Sequence, residues 1–448
     1  MDSCHITMME KVQNKDIVIG IIGQGYVGLP LAMAFAKSVR VIGFDVNEKT
    51  IAQLKNGVSH ILDVSNETIS KNITSKKYLP TIDPELLKIC DIIIICVPTP
   101  LNAKRRPDMS YIQSAATVIA SILHTGQYVV LESTTYPGTT EEILIPILEE
   151  GSGLTVGKDF FVAFSPERID PGNKQYKVDQ VPKIVGGMNI DVTKVICDVY
   201  HIAIPEVVPV SSLQCAEAVK MVENVFRYIN IGLVNELSQI FEKMNVDTWE
   251  VMDAAATKPY GFMPFYPGPG VGGHCIPLDP YYLYYKAKQY GSISRFIETA
   301  GEINDFMCIH TINLATRGLK KVGKQVYHAN IAIIGLAYKN DIDDVRSSPA
   351  ISIIEELVNL GANLRVYDPF VRSITTSEGF MACTASLTEA LQGADCAIFL
   401  VNHTEFLSLD IVKESKVMAS PVIIDGKNLF NKQDGIVYLG IGKINENL

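Results

Sequence analysis

Long apolar runs are missing from this 448-residue sequence. The aliphatic stretches near Ile17–Ile22 and Ile92–Val97 fall far short of the roughly 20 residues that span a bilayer. The opening MDSCHITMMEKVQNKD is polar and mixed in charge, without the apolar segment of a secretory signal. These absences set the expectation of a cytoplasmic protein with no membrane partner. No CxxC pair occurs among the nine cysteines, and the eight histidines show no metal-ligand spacing. That argues against a disulfide framework and against any metal site, and fits a reducing compartment. Positive charge is scarce as well. With 39 Lys and Arg against 49 Asp and Glu, the formal net charge is -10, which argues against a broad nucleic-acid-binding face. An anionic ligand remains compatible, because a few local cations can act against the global sign.

What is present is an ordinary globular composition, 47% hydrophobic and 20% charged. The length predicts two or three domains. In the first third, DIVIGIIG, VRVIGFDV, CDIIIICVPT and GQYVVLEST read as buried strands separated by helical patterns such as GLPLAMAFAKS. Such alternation predicts a doubly wound parallel sheet. From Ser211 to Met244 there is no Pro and only Gly232, and Val219, Val222, Phe226, Ile229, Leu233, Leu237 and Ile240 recur at helical steps. That predicts one helix of about 50 Å. After it the first pattern restarts: HANIAIIGLAYK, LRVYDP, DCAIFLVN and PVIIDGKN read as strands, and SSPAISIIEELVNLGA as a helix with Gly361 at its end. The expected fold class is therefore α/β, two Rossmann-like parallel-sheet domains joined by a long central helix. Its segments are residues 1–210 for a dinucleotide, 211–320 for the helix and a catalytic loop, and 321–448 for a second ligand.

Gly23-Gln24-Gly25-Tyr26-Val27-Gly28 follows the first strand and opens a helix, the pattern of a dinucleotide-binding turn. Asp45 closes the second strand about 20 residues on, where an acid binds ribose hydroxyls and repels a 2′-phosphate, so the cofactor expected is NAD. Two further loops, Cys96-Val97-Pro98-Thr99-Pro100 and Glu132-Ser133-Thr134-Thr135, leave the carboxyl ends of predicted strands, where ligands lie in an open sheet; plain turn chemistry explains them equally well. Phe265-Tyr266 opens the most unusual segment, which carries four glycines and four prolines among 16 residues and ends at Pro280. It is a shaped loop with Cys275 at its centre, Gly272 and His274 before the thiol and Asp279 after it. A thiol among glycines is accessible and close to backbone N–H groups that can stabilise an oxyanion. The other cysteines read as small buried hydrophobes, except a terminal, exposed Cys4.

On the long helix Lys220 and Asn224 are four apart and share a face. They either aim into a cleft to stabilise developing charge or, for Lys220, snorkel at the edge of the apolar stripe. Ser165-Pro166-Glu167-Arg168 follows the apolar FFVAF, and a partly buried Glu167 can act as general base. Lys339 and Arg346 lie past a strand end in YKNDIDDVRSSP. They suit a diphosphate, unless they pair with Asp341, Asp343 and Asp344.

Taken together, GQGYVG, VPTP, EST, SPER, Lys220 with Asn224, GGHC-x-P-x-D, and LAYK with D-x-R-x-S-P resemble the nucleotide-sugar 6-dehydrogenase family over nearly the whole chain. The segment ATKPYGFMPFYPGPGVGGHCIPLDPYYL looks most like the UDP-N-acetylglucosamine 6-dehydrogenase branch, which feeds surface-polysaccharide pathways. The resemblance implies a four-electron oxidation of a UDP-sugar at C6 by NAD, through a thiohemiacetal and a thioester on Cys275. It implies charge stabilisation by Lys220 and Asn224, a supporting Asp279, water held by Thr134 and a base at Glu167. Gly23, Gly25, Gly28 and Asp45, with Gln24, Tyr26, Val27, Pro98, Thr99, Ser133 and Thr134, would hold NAD. Arg168, Lys220, Asn224, Phe265, Tyr266, Gly272, Lys339 and Arg346 would face the UDP-sugar, and the central helix would build a homodimer or larger homo-oligomer.

Two positions depart from the UDP-glucose members. Leu278 stands where they usually carry Lys, and Pro171 where they carry a second acid, with Asp170 one residue short of it. Both favour an N-acetylhexosamine. Competing readings are UDP-N-acetylmannosamine, UDP-N-acetylgalactosamine or UDP-glucose as substrate, a two-electron hydroxyacid-type dehydrogenase, and a non-catalytic nucleotide-binding scaffold.

Overall fold

The computed structural model describes residues 3–61, 63–102, 105–168 and 180–445. It divides into two compact units, Met1–Glu223 with Tyr281–Ser292, and Asn224–Pro280 with Ile293–Leu448.

The strands of the first unit are β1 (Val18–Ile22), β2 (Arg40–Phe44), β3 (Tyr78–Thr81), β4 (Ile92–Ile95), β5 (Tyr128–Leu131), β6 (Phe161–Phe164), β7 (Lys183–Gly187) and β8 (Val207–Pro209). Among the described residues they form one eight-stranded sheet in the order β3-β2-β1-β4-β5-β6-β7-β8. The first six are parallel. One expectation is corrected here, because β7 runs antiparallel to β6 and makes the sheet mixed. The sequence of residues 165–182 explains it: Pro166, Pro171 and Pro182 interrupt it and no apolar helical period runs through it. A parallel return needs a crossover, usually helical, which such a segment does not encode.

The all-isoleucine β4 shows why these strands are apolar throughout. Ile92 and Ile94 enter one core, packed by residues of the helices Ser3–Gln13, Gly28–Ala36 and Ile190–His201. Ile93 and Ile95 enter a second core with residues of the helices Ser110–Ile122 and Ile145–Ser152. A sheet covered on both faces admits no polar alternation. The N-terminal helix was not legible, because only Met8 and Val12 among its side chains are core members. It also corrects Cys4, which is half-buried against that core rather than exposed.

The central helix spans Leu213–Lys243, inside its expected limits. A second long helix, Arg295–Lys321, was not singled out from the sequence. Gly232 is where the two meet: a Cβ there would stand 2.9 Å from that of Ala300. Buried Asn235 reinforces the crossing by donating to Asn304 at 2.9 Å.

In the second unit β9 (Asn330–Ile334) and β10 (Asn363–Tyr367) are followed by a hairpin of β11 (Ser373–Thr376) and β12 (Gly379–Ala382). Then come β13 (Cys396–Phe399), β14 (Val422–Asp425) and β15 (Val437–Gly440). Among the described residues the parallel sheet has five strands, in the order β10-β9-β13-β14-β15. Its faces again divide by alternation, with Ile331 and Ile333 in one core and Ala332 and Ile334 in the other. Helix Pro349–Asn359 starts under a Ser348 side-chain cap, and Gly361 takes the left-handed conformation, φ +79°, just past its end. No helix among the described residues is long and apolar enough to cross a membrane.

Candidate active site

In the first unit the turn Gly23–Gly28 joins β1 to the helix Gly28–Ala36. Gly23 sits at φ +91°, and a Cβ there would stand 2.4 Å from the Cys96 carbonyl oxygen. A Cβ on Gly28 would stand 1.9 Å from the Gly23 carbonyl oxygen. Gly25 differs: nothing lies within 4 Å of where its Cβ would be, so its backbone is open to a phosphate. The Gln24 amide donates to Asp45 Oδ2 at 2.8 Å and the Asn47 amide to Asp45 Oδ1 at 2.9 Å, which fixes that carboxylate at the end of β2. The Gln24 side chain turns inward. It is fully buried, accepts from the Tyr78 hydroxyl at 2.7 Å and donates to the Ile21 carbonyl at 2.9 Å, so only its main chain belongs to the turn's outer surface. Tyr26 is exposed, and Val27 packs against the first core. An open glycine backbone, a helix N-terminus and an oriented carboxylate fit a dinucleotide with unphosphorylated ribose hydroxyls.

The same carboxyl edge continues past β4, β5 and β6. Ser133 Oγ accepts from the Val97 amide at 2.9 Å and donates to the Ile95 carbonyl at 3.3 Å, tying two loops together. The Tyr282 hydroxyl donates to the Thr99 carbonyl at 2.5 Å. Pro98 is exposed, while Thr99 and Thr134 are half-buried. Beyond β6, Glu167 is buried and its main-chain carbonyl accepts from Lys220 Nζ at 2.6 Å. Lys220 is itself buried, which corrects the snorkelling alternative. Arg168 turns back on the protein, donating to the Pro182 carbonyl at 2.6 Å and pairing with Glu223 at 2.7 Å. Asp170 and Pro171 lie outside the described residues.

Sequence reasoning missed three charged groups beside these. Glu132, fully buried at the end of β5, accepts from Lys183 Nζ and, at 2.6 Å, from the Tyr200 hydroxyl. Burial pushes the Glu132 carboxyl up to about 7, with Lys183 pulling the other way. Burial disfavours the Lys183 ammonium, yet Glu132 and Glu167 hold its pKa above the ordinary value. Glu217, on the central helix, accepts from the amides of Gly138 and Thr140 at 2.5 and 2.9 Å and from the Thr140 hydroxyl at 2.6 Å. For Glu132 and Lys183 the available signal was a charge abutting an apolar strand, since such groups are almost never buried unless paired.

In the second unit Asn224 Nδ2 donates to Asp279 Oδ2 at 2.5 Å, and the Asp279 amide donates to the Cys275 carbonyl at 2.8 Å. Asn224 and Asp279 are both buried. The Cys275 thiol is half-buried, in no disulfide and outside all four apolar cores. Burial pushes Cys90 and Cys308 up to about 12, Cys197 and Cys383 up to about 11, and Cys96 and Cys396 also upward. Such thiols supply almost no thiolate near neutrality.

Two glycines press the Cys275 loop onto the loop after β9. A Cβ on Gly272 would stand 2.7 Å from the Tyr338 Cβ, and one on Gly273, at φ +93°, 2.9 Å from the Tyr338 ring. The Gly273 amide donates to the Arg346 carbonyl at 3.2 Å. Cys275, Asn224, Asp279, Lys339 and Arg346 thus share one unit. The Arg346 guanidinium is engaged by Asp344 at 2.6 and 3.0 Å. Burial opposes the Asp344 charge, but the Arg346 hydrogen bonds keep its pKa below the usual value. Lys339 is half-buried. Phe265 lies edge-on to Phe226 at 5.8 Å, while Tyr266 stacks on Trp249 at 5.1 Å and donates to Asp253 at 2.6 Å. Lys427 was also passed over: a Cβ on Gly268 would stand 2.7 Å from its Nζ, and burial lowers its pKa.

Comparison with known proteins agrees with this division of labour. Residues 17–204 match the NAD binding domain of the UDP-glucose/GDP-mannose dehydrogenase family, 214–306 its central domain and 332–432 its UDP binding domain. The UDP-N-acetyl-D-glucosamine 6-dehydrogenase of Salmonella typhi is 38% identical over 87% of this chain and 91% of its own. The UDP-N-acetyl-D-mannosamine dehydrogenase of Pyrococcus horikoshii is 35% identical over 95% and 99%. A solved structure of UDP-D-ManNAc dehydrogenase from that organism superposes with a TM-score of 0.90 at 34% identity, covering 96% of this chain and 100% of that one. A dinucleotide turn, a thiol loop and a second nucleotide-type sheet in the family's own order make this chain a member of the UDP-glucose/GDP-mannose dehydrogenase family, an NAD-dependent nucleotide-sugar 6-dehydrogenase.

Proposed function

We propose that the chain oxidises the C6 hydroxymethyl group of a UDP-N-acetylhexosamine, UDP-N-acetylglucosamine foremost, to the uronate. The observation that carries the chemistry is the run Asn224–Asp279–Cys275, in which a buried amide orients a buried carboxylate beside the thiol loop. The hexosamine is supported by Leu278, which replaces the lysine of the UDP-glucose members, and by the similarity to the Salmonella enzyme.

NAD+, held by the turn Gly23–Gly28, Asp45 and the loops of Pro98, Thr99, Ser133 and Thr134, supplies the hydride acceptor for each of the two oxidations. Once C6 is an aldehyde, Cys275 Sγ adds to its carbon and the thiol proton passes to the C6 oxygen. After the second oxidation the carbon is a thioester. Water then adds, the C–S bond breaks, the thiol recovers a proton and the uronate leaves. Covalent capture divides a four-electron oxidation into manageable steps and retains the reactive aldehyde. Lys220 and Asn224 stabilise the negative charge on the C6 oxygen. Asp279 supports them, Thr134 positions water, and Glu167 accepts its proton in the hydrolysis. Arg168, Phe265, Tyr266, Gly272, Lys339 and Arg346 hold the nucleotide and sugar. Residues 1–210, 211–320 and 321–448 serve as cofactor, dimer-plus-loop and UDP segments.

A homodimer is supported by the central helix, where Val222, Phe226, Leu233 and Ile240 are 63%, 46%, 50% and 45% exposed. An apolar stripe of that length is an association surface.

The test is incubation with NAD+ and a panel of UDP-sugars while following reduced nicotinamide. Two NADH per UDP-N-acetylglucosamine is the expected result. Preference for the mannosamine epimer would overturn the substrate, and one NADH per sugar would overturn the four-electron course.

A further inference from the structure

β7 pairs antiparallel with β6, Ala163 opposite Gly187 and Phe164 opposite Gly186, so Lys183 at the start of β7 lies at the end of the sheet where the loop after β6 carries Glu167. A parallel β7 would have carried its first residue to the other edge of the sheet. In the antiparallel arrangement the side chains meet. Lys183 Nζ lies 3.7 Å from Glu167 Oε2 and donates to Glu132 Oε1. Glu132 Oε2 is held in turn by the Tyr200 hydroxyl at 2.6 Å. Lys183, Glu132, Glu167 and Tyr200 are all buried.

Resting on the assignment of Glu167 as the hydrolytic base, we propose that Lys183 is a positioning residue that keeps Glu167 ionised, while Glu132 limits how strongly it does so. A base must be a carboxylate before it can take a proton. Burial in apolar surroundings favours the neutral acid, and so does a neighbouring carboxylate. An ammonium within about 4–6 Å reverses that preference. Among the described residues Lys183 is the cation that pairs with both the Glu132 and the Glu167 carboxylates, while its neighbours are committed elsewhere. Lys220 is engaged by the Glu167 main-chain carbonyl, and Arg168 pairs with Glu223. Cys96, at the end of β4, is a buried thiol whose pKa burial raises. Tyr200 likewise sits well above its ordinary value, through burial and Glu132. Lys183 itself faces both carboxylates, at 3.7 Å from Glu167 Oε2 and in a hydrogen bond to Glu132. Because Glu132 hydrogen-bonds Lys183 and Glu167 stands farther from it, the charge is shared unequally. The arrangement is therefore adjustable in both directions.

The experiment is the pH dependence of kcat for NADH release by the full-length enzyme and four variants. Lys183→Met is expected to move the acid limb up by about one pH unit, lowering kcat near pH 7 about tenfold. KM for NAD+ and for the UDP-sugar should stay within about twofold, because binding groups are untouched. Glu132→Gln is expected to move the limb the opposite way, since the ammonium then faces Glu167 alone. Lys183→Arg, which keeps the charge, should restore a wild-type limb. An acid limb unmoved in both Lys183→Met and Glu132→Gln overturns the proposal. The fourth variant, Glu167→Gln, separates the two readings: wild-type turnover in it overturns the base assignment itself, whereas loss of turnover with unmoved limbs elsewhere overturns only Lys183. Should Lys183→Met fail to fold because Glu132 is left unpaired, the double change Glu132→Gln with Lys183→Met removes the Glu132 charge as well and is expected to show the upward shift relative to Glu132→Gln. The Glu132→Gln shift remains decisive by its sign.

Discussion

Lys220 donates its ammonium to the main-chain carbonyl of Glu167 at 2.6 Å, fastening the first turns of the central helix to the loop after β6. The same helix carries Asn224 one turn on, hydrogen-bonded to Asp279. A buried lysine anchored on a carbonyl keeps its charge aimed without pairing it to a carboxylate, and such a charge is free to respond to one that develops on a substrate. Lys220→Met is expected to lower kcat by about 100-fold or more, with KM for NAD+ changed less than about threefold. Steady-state kinetics with the preferred UDP-sugar checks it, and a change confined to KM would make Lys220 a binding group only.

Gly25 and Gly28 should fail in different ways when replaced by alanine. At Gly28 the new methyl would stand 1.9 Å from a main-chain oxygen, so the turn must move. A loss of roughly 1–3 kcal/mol in stability is expected, read as a lower melting temperature. At Gly25 the methyl meets nothing within 4 Å, so melting should be unchanged while KM for NAD+ rises about tenfold, the methyl occupying the space of a pyrophosphate. Equal melting temperatures in the two variants would contradict the division of roles.

Cys275→Ser should stall at or before the second oxidation, because an alkoxide leaves poorly where a thiolate leaves well. Product analysis is expected to find one NADH or fewer per sugar and no free uronate. Complete conversion to uronate in that variant would remove the covalent step.

Glu217 should give the protein a visible pH dependence. Burial raises its pKa from 4.5 to about 7, against the hydrogen bonds from Thr140 and Gly138 that lower it. A carboxyl whose folded pKa exceeds its unfolded value binds more protons when folded. Its contribution is complete below pH 4.5 and is lost as pH rises through about 7. The loss is about 3 kcal/mol at most for a shift of this size. Urea midpoints measured at pH 5 and pH 8 should therefore differ less in Glu217→Gln than in the wild type; an unchanged difference would assign the pH dependence to other groups.

The Cys275 loop and the glycine turn were legible as shaped segments because their residues are conspicuous in a sequence. Glycine at three fixed places, a thiol among prolines and an acid at a strand end stand out against ordinary composition. The strands were legible because a sheet buried on both faces, as at β4, must be apolar without alternation. Lys183 was not legible in the same way. Its neighbours KIVGG mark a buried strand, but strand direction is a property of the connection, and the antiparallel pairing with β6 appears only when the chain is folded. For Gln24 the motif left the direction of the side chain open, and packing against Tyr78 turns it inward.

By itself the sequence determined the element types, the order of the two sheets and the NAD turn, since backbone sterics and local chemistry act over a few residues. Tertiary structure alone decided which buried charges meet. Glu132, Lys183 and Glu167 are far apart in the chain, and the pairing that spares each from an uncompensated burial comes from strand register, which no local pattern encodes.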